Sequence, residues 1–208
     1  MTHDAVVLAG GRGQRIGGDK PAVVVAGRRL LDHALDAVHD ARAVVVVGPE
    51  GVLGAGAATP GIGVTQEDPP YGGPVAGIAA GLAWLDEHVP LDADRPVLLL
   101  ACDVPWARRL VPRLLDAWSA RTDGTEGVHV EADGRAQWLV GVYSRAALRR
   151  AVRGVVGEPG GLRDAPVRRL VGHLALATVD DPDGLSLDVD TWDDVERTAR
   201  RLEEDSAP

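Results

Sequence analysis

The feature that most constrains this sequence is a glycine-rich loop directly after a short apolar run. The run is Ala5–Leu8, and the twelve residues after it include five glycines, two arginines and a lysine. Glycine allows backbone N–H groups to approach an anion closely, and the cations neutralise the anion's charge. Open α/β sheets bind ligands just beyond the carboxyl ends of their strands. We therefore predict a strand that ends in a phosphate-binding loop, rather than a surface loop with scattered charge.

Two common phosphate loops do not fit this segment. The dinucleotide fingerprint Gly-x-Gly-x-x-Gly does not match the glycine spacing. The ATPase loop requires Gly-Lys-Ser/Thr, whereas here Asp19 precedes Lys20 and Pro21 follows it. A different class of nucleotide-binding loop is therefore needed.

Composition excludes several classes of partner. The chain has 208 residues and a net charge of −9, from 31 acidic and 22 basic side chains, whereas nucleic-acid-binding domains usually carry net positive charge. Its single cysteine, Cys102, precludes an internal disulfide and suits a reducing compartment. We find no signal peptide and no apolar run of about 18 residues. We expect a cytoplasmic protein without nucleic-acid or membrane partners, with one domain over residues 1–204 and a frayed tail at 205–208.

Hydrophobic periodicity predicts alternating strands and helices. The predicted strands cover residues 4–9, 43–47, 62–65, 97–101, 127–131, 137–143 and 175–179, with a turn at 132–134 between the fifth and the sixth. The predicted helices cover residues 29–41, 75–86, 106–120, 145–153, 162–170 and 191–204, the last with Thr191 and Asp194 near a capping box. Alternation through the first 120 residues predicts right-handed crossovers. The expected fold class is α/β, a three-layer αβα sandwich with a mainly parallel, Rossmann-like sheet.

Acidic residues follow predicted extended segments at two places. Asp103 lies just beyond the strand at 97–101, where a carboxylate beside a phosphate loop is a natural Mg²⁺ ligand. Its alternative role is to cap the following helix. Asp188 and Asp190 alternate along an extended segment and therefore point the same way. Asp190 alternatively stabilises the N-terminus of the last helix through the helix dipole.

A second glycine-rich segment, Gly72–Gly77, leads into the predicted helix at 75–86, with Pro74 at its first position. Free N–H groups at the positive end of a helix dipole favour anions. Small residues also allow a flat base or a ribose to lie against the backbone. Asp68, just before this segment, either contacts the nucleoside or solvates a loop.

Together these motifs resemble those of the molybdenum cofactor guanylyltransferases. The similar segments are Leu-Ala-Gly-Gly, Arg-hydrophobic-Gly and Asp-Lys at residues 8–20, Gly-Pro-x-Ala-Gly at 73–77, Cys-Asp-x-Pro at 102–105 and Asp-x-Asp-Thr at 188–191. The resemblance covers residues 5–201 and implies a nucleotide-diphospho-sugar-transferase-like fold. It implies that GMP is transferred from GTP to the terminal phosphate of molybdopterin with Mg²⁺, releasing pyrophosphate. It also implies transient contact with proteins that carry or accept the cofactor.

The resemblance assigns roles to individual residues. The expected catalytic residues are Arg15, Lys20 and Asp103. Arg15 and Lys20 would neutralise the charge that builds on the phosphates. Asp103 would hold Mg²⁺ together with Asp190 or Asp188. The expected nucleotide-binding residues are Leu8, Ala9, Gly10, Gly11, Gly13, Lys20, Asp68, Gly73, Pro74, Gly77 and Asp103.

Two tryptophans depart from the family pattern. Trp192 replaces the proline that follows Asp-x-Asp-Thr, and Trp138 stands in the segment that faces the second substrate, where Gln-Pro is common. Trp138 either stacks on a pterin or belongs to the core or to an interface. Two alternatives to the guanylyltransferase function remain. One is a transferase of the same fold that uses CTP or acts on a sugar phosphate, and the other is a non-catalytic GTP-binding adaptor. A pure adaptor has no need of both Lys20 and Asp103.

Overall fold

A seven-stranded sheet forms the centre of the molecule. We analysed a computed structural model that describes residues 1–11, 14–54, 61–90 and 95–205. Its strands are β1 (Asp4–Leu8), β2 (Val24–Val25), β3 (Arg28–Arg29), β4 (Val44–Val47), β5 (Ile62–Thr65), β6 (Pro96–Ala101), β7 (Gly127–Ala132), β8 (Arg135–Ser144) and β9 (Leu176–Asp180). The order in the sheet is β5-β4-β1-β6-β8-β7-β9, while β2 and β3 form a separate hairpin. Only β8 runs antiparallel to its neighbours in this sheet.

Helices cover both faces of the sheet. They are α1 (Leu30–Ala37), α2 (Pro74–His88), α3 (Ala107–Ser119), α4 (Arg145–Val156), α5 (Val167–Val171) and α6 (Trp192–Asp205). Because side chains alternate along a strand, Ala5 and Val7 of β1 pack with α1 and α3, whereas Val6 packs with α2 and α4. The predicted three-layer αβα sandwich with a mainly parallel sheet is confirmed. Among the described residues, no helix combines the length and apolar composition needed to cross a bilayer.

Two predicted helices are longer than those in the structure. The helix predicted at 29–41 ends at Ala37, where the Val38 N–H bonds to the Leu35 carbonyl in a tighter turn. The helix predicted at 162–170 begins only at Val167, because Pro166 is an extended N-cap and Asp164 has a left-handed φ of +52°. At the other end of the chain, Asp205 closes α6, and residues 206–208 of the predicted frayed tail lie outside the described residues.

The predicted turn at 132–134 is confirmed and explains why β8 runs antiparallel to β7. Asp133 and Gly134 have φ values of +50° and +70°, and Ala132 pairs with Arg135 across the turn. Two consecutive positive φ values are typical of the type I′ turn, whose twist matches that of a hairpin. Asp-Gly is a favoured sequence for that turn, so local chemistry sets this strand direction.

Helix α2 lies unusually close to β1 because it carries glycine on its inner face. A Cβ atom at Gly81 would lie 2.6 Å from Cγ1 of Val6, and one at Gly77 would lie 3.2 Å from Cδ2 of Leu8. The close approach brings the N-terminus of α2 next to the carboxyl end of β1. These two glycines therefore set the position of the α2 N-terminus relative to the carboxyl end of β1.

We expect Gly81→Ala to lower the free energy of unfolding by about 1–3 kcal/mol, because the added methyl group overpacks the contact with Val6. The matched control is Gly154→Ala in α4, where a Cβ atom meets nothing within 4 Å. That control raises the free energy of unfolding by up to about 1 kcal/mol through helix propensity. Chemical denaturation followed by circular dichroism measures both. Equal effects of the two substitutions would contradict the close approach of α2 to β1.

Candidate functional site

The carboxyl ends of three neighbouring strands meet at one edge of the sheet. Leu8 of β1 is level with Val47 of β4 and Ala101 of β6 in the strand register. The loops that follow these strands therefore open onto the same space, where α/β sheets bind ligands. A cavity of about 880 Å³ lies there, within the range of ~300–1,000 Å³ that is usual for small-molecule sites.

Most of the residues predicted for the site line this cavity. Those that line it are Leu8, Gly10, Gly11, Arg15, Lys20, Gly73, Pro74, Gly77, Asp103 and Asp190. Ala9 does not: it is buried, and its N–H donates to the Val47 carbonyl at 2.8 Å, which prolongs the β1–β4 ladder. Asp68 is exposed and lines a separate, smaller depression. Gly13 lies outside the described residues.

The centre of the site is an ion cluster between three distant parts of the chain. The Lys20 ammonium donates to Oδ2 of Asp103 at 2.6 Å and to Oδ1 of Asp190 at 2.5 Å. Arg15, at the exposed rim, places Nη1 3.6 Å from the other oxygen of Asp190. Burial alone would lower the pKa of Lys20, but the two carboxylates outweigh it and raise that pKa to about 12. Lys20 is therefore a fixed positive charge at neutral pH.

A small hydrophobic cluster holds this part of the site in place. Ile16 and Val189 pack together with Val25, Leu30 and Val195 beneath the loop. Ile16 adjoins Arg15 and Val189 adjoins Asp190, so burial of the apolar neighbours holds the backbone of both charged residues. The Val189 N–H also donates to the Asp103 carbonyl at 3.0 Å, which ties the segment before α6 to the end of β6.

Three carboxylates are gathered at this point. One oxygen from each of Asp103, Asp188 and Asp190 lies within 4.8 Å of the others, as the predicted alternation of Asp188 and Asp190 requires. Partial removal from water, and then the negative charges of Asp103 and Asp190, raise the pKa of Asp188. Hard oxygen ligands of this kind suit Mg²⁺, which is commonly held by one or two carboxylates together with substrate phosphates. The donor set therefore fits a divalent cation.

A helix N-terminus and one carboxylate form the opposite wall of the cavity. Gly73 is the N-cap of α2 with a φ of +86°, and Pro74 is the first helical residue, so free N–H groups lie near the cavity. Glu67 lines the same wall, 9% exposed, and one of its oxygens accepts the Gly72 N–H at 3.2 Å. Of the two neighbouring carboxylates Glu67 and Asp68, the one that lines this cavity is thus Glu67, whereas the sequence analysis named Asp68.

Sequence reasoning missed two charged residues on the cavity wall, Arg163 and Asp164. The Asp164 N–H donates to the Gly72 carbonyl at 2.7 Å, and a Cβ atom at Gly73 would lie 3.4 Å from Cα of Asp164. The loop before α5 is therefore attached to the loop before α2. The signal that would have found it is Gly160-Gly161, since glycines followed by charged residues also mark the first loop.

The tryptophans and the cysteine have different positions. Trp138 packs against the core, and its carbonyl accepts the Tyr143 hydroxyl at 2.8 Å, as the core alternative predicts. Trp192 is 58% exposed at the start of α6. Cys102 lines the cavity but is nearly buried. Burial, and then the adjacent Asp103 carboxylate, raise the pKa of its thiol, so the thiol stays protonated and is a poor nucleophile.

Comparison with known proteins shows the family of this chain. The family model described as the MobA-like NTP transferase domain matches residues 5–176. The chain belongs to the MobA-like NTP transferase family. It is therefore an enzyme, a nucleotidyltransferase, which the phosphate-loop prediction and the resemblance both indicated.

Curated relatives of this MobA-like domain carry one recurring name. A molybdenum cofactor guanylyltransferase of Bradyrhizobium sp. (strain ORS 278) is 35% identical over 153 residues, 71% of this chain and 70% of the relative. One from Acidiphilium cryptum (strain JF-5) is 33% identical over 181 residues, 86% of this chain and 85% of the relative. Among solved structures, molybdopterin-guanine dinucleotide biosynthesis protein A from Archaeoglobus fulgidus superposes with a TM-score of 0.70, covering 97% of this chain and 99% of that protein. At 20% identity this last likeness supports the fold.

A capping box at the start of α6 orients Asp190, and its loss should be measurable. Oδ2 of Asp194 accepts the N–H groups of Asp190 and Thr191 at 3.0 and 2.8 Å, while the Asp194 N–H donates to Oγ1 of Thr191 at 3.2 Å. We expect Asp194→Asn to lower the free energy of unfolding at pH 7 by about 1 kcal/mol, because an amide oxygen can still accept these hydrogen bonds but lacks the charge that strengthens them. Asp193→Asn, the same charge change at the exposed neighbour, is the control and should cost less.

The effect of Asp194→Asn should also depend on pH. Burial acts to raise the pKa of Asp194, but hydrogen bonds from Thr191 and the Asp190 backbone lower it overall. The stabilisation is therefore complete above the unfolded pKa of about 3.9 and is lost as pH falls through the lowered folded value. The difference from wild type, measured by thermal unfolding, should shrink at acid pH. A difference that grows towards low pH would contradict the capping role.

Proposed function

We propose that this nucleotidyltransferase transfers GMP from GTP to the terminal phosphate of molybdopterin and releases pyrophosphate. The observation that carries the proposal is the Lys20–Asp103–Asp190 cluster at the mouth of a glycine-rich loop. Relatives named molybdenum cofactor guanylyltransferase match most of the chain at 33% and 35% identity, and they suggest the base and the acceptor.

The proposed reaction is a displacement at phosphorus. A phosphate oxygen of the acceptor attacks the α-phosphorus of GTP. The bond from that phosphorus to the oxygen bridging the α- and β-phosphates breaks, and pyrophosphate leaves with the electron pair. The attacking oxygen already carries negative charge, so no general base and no covalent intermediate are required. Positioning and electrostatic stabilisation supply the catalysis.

The first loop and its cations would bind the triphosphate. Gly10 and Gly11 line the cavity and offer backbone N–H groups without side-chain obstruction. Arg15 and Lys20 would neutralise charge that builds on the leaving phosphates. Asp103 and Asp190, with Asp188 beside them, would hold Mg²⁺, which when bound would stabilise the negative charge of the phosphates.

The opposite wall would receive the nucleoside. Guanine presents N–H donors on its pairing edge, and these need backbone carbonyls or a carboxylate as acceptors. Glu67 is a nearly buried carboxylate on this wall, and its bond to the Gly72 N–H uses one of about four acceptor sites. The glycines before α2 allow a flat ring to lie against the backbone. We assign the nucleoside contact to Glu67 in preference to Asp68.

The direct test is pyrophosphate release with each of GTP, CTP, ATP and UTP in the presence of Mg²⁺, with molybdopterin, with a sugar phosphate, or with no acceptor. Release with GTP only when molybdopterin is present supports both base and acceptor. Release with CTP would overturn the choice of base but keep the enzyme class. Release with a sugar phosphate as acceptor would overturn the choice of acceptor. GTP binding without release would support the adaptor alternative.

We expect Lys20→Met to reduce turnover by about 10²–10³-fold, because a preorganised cation at the phosphates is removed. Asp103→Asn should reduce turnover similarly. Arg153→Met, which removes an exposed cation of α4 away from the cavity, is the control and should retain wild-type turnover. Circular dichroism verifies that each variant is folded. Near-normal turnover of folded Lys20→Met would remove Lys20 from the mechanism.

Neighbouring carboxylates provide a matched pair for the nucleoside contact. Glu67→Gln should lower kcat/KM for GTP by about 10–100-fold, since a hydrogen bond to a charged group contributes about 1.5–3 kcal/mol. Asp68→Asn should change kcat/KM by about twofold or less, as expected for an exposed charge. Steady-state kinetics on the same assay measures both. The reverse ranking would restore Asp68 as the nucleoside contact.

A further inference from the structure

Lys20 lies between the same carboxylates that would hold the metal ion. Its Nζ is 2.6 Å from Asp103 and 2.5 Å from Asp190, and its side chain is only 10% exposed. These two carboxylates belong to the three whose oxygens lie within 4.8 Å of one another. The ammonium group therefore makes its hydrogen bonds with two of the three carboxylates that would hold a divalent cation.

The lysine arrangement and a metal arrangement on these oxygens exclude each other. Mg²⁺ requires its ligands at about 2.0–2.1 Å in a near-octahedral shell, and an ammonium hydrogen-bonded to the same oxygens would lie within that shell. The two cations would also repel each other strongly at such a separation. A metal ion that binds these same oxygens therefore requires Lys20 to leave them.

The negative charge of the nucleotide provides Lys20 with an alternative partner. With Lys20 and Arg15 beside them, Asp103, Asp188 and Asp190 have two of their three negative charges neutralised, so the cluster attracts a divalent cation weakly. A triphosphate brings several negative charges to the glycine loop, and a flexible lysine stem can turn its ammonium towards them. The phosphates also supply the remaining oxygen ligands for the metal.

We propose that Lys20 and the divalent metal ion compete for the Asp103–Asp190 pair, so that the metal enters the site together with the nucleotide. This rests on the proposed metal site. It gives Lys20 two positions: on the carboxylates when the nucleotide is absent, and on the phosphates when it is present. Through this exchange a cation always neutralises the carboxylate cluster, and the affinity for the metal depends on nucleotide binding.

The test measures Mn²⁺ binding to the nucleotide-free protein by electron paramagnetic resonance. Lys20→Met should bind Mn²⁺ about tenfold or more tightly than wild type, because the competing cation is gone. Arg15→Met is the matched control: it removes one charge from the same cluster at an exposed position, and affinity should change by about threefold or less. Adding Asp103→Asn to Lys20→Met should abolish the gain. Equal or weaker binding by Lys20→Met, with the thermal transition showing that it is folded, overturns the competition.

Wild-type protein provides a second measurement that does not depend on a variant. Lys20 is the single lysine in the chain, so ¹³C,¹⁵N-lysine labelling gives one side-chain Cε–Nζ signal by nuclear magnetic resonance. That signal should shift when Mg²⁺ and GTP are added together. If Mn²⁺ binds at these carboxylates while the lysine signal stays unshifted in matched Mg²⁺ samples, the competition is overturned. The proposed function is then left intact. Failure of every variant and of wild type to bind Mn²⁺, even with GTP, would overturn the metal site itself.

Discussion

The ion cluster of Lys20 with Asp103 and Asp190 is the interaction on which the rest of the site depends. Its members come from the first loop, from the end of β6 and from the segment before α6, which are distant in sequence. Three carboxylates so close together would repel one another without cations between them. The sheet register sets the positions of the loops, and the apolar cluster around Val189 holds the last segment against them. The fold therefore brings the charged groups of the site together in one small cluster.

Where local chemistry decides a structure, the sequence predicts it. The valines of β4, the Asp-Gly turn between β7 and β8, and the reciprocal Thr191–Asp194 cap all follow from neighbouring residues. Glu67 illustrates the limit. Adjacent residues in an extended segment face opposite ways, so a shift of one position decides which carboxylate faces the cavity. Arg163 and Asp164 reach the cavity because a tertiary hydrogen bond joins Asp164 to Gly72. The helix predicted over them does not form, because Pro166 is extended and Asp164 has a left-handed φ.

The fold alone does not choose the substrates. Folds of this class carry different chemistries on the same scaffold, and specificity lies in the side chains at the site. Here the chain has a net charge of −9, yet Arg15, Lys20 and Arg163 all line one cavity. The same cavity also holds the carboxylates of Asp103 and Asp190. In the proposed function these cations would bind the anionic substrates, and the carboxylates would hold one metal ion. The competition between Lys20 and that ion would then make the metal site depend on the nucleotide.

The most direct test of this account is a crystal structure with Mn²⁺ and a non-hydrolysable GTP analogue, using anomalous scattering to locate the metal. The account predicts Mn²⁺ within about 2–2.5 Å of oxygens of Asp103 and Asp190, as expected for a hard cation on carboxylates. It also predicts the Lys20 ammonium on the phosphates and the base beside Glu67 and the start of α2. A metal peak away from these carboxylates, or a triphosphate bound outside the first glycine loop, would contradict it.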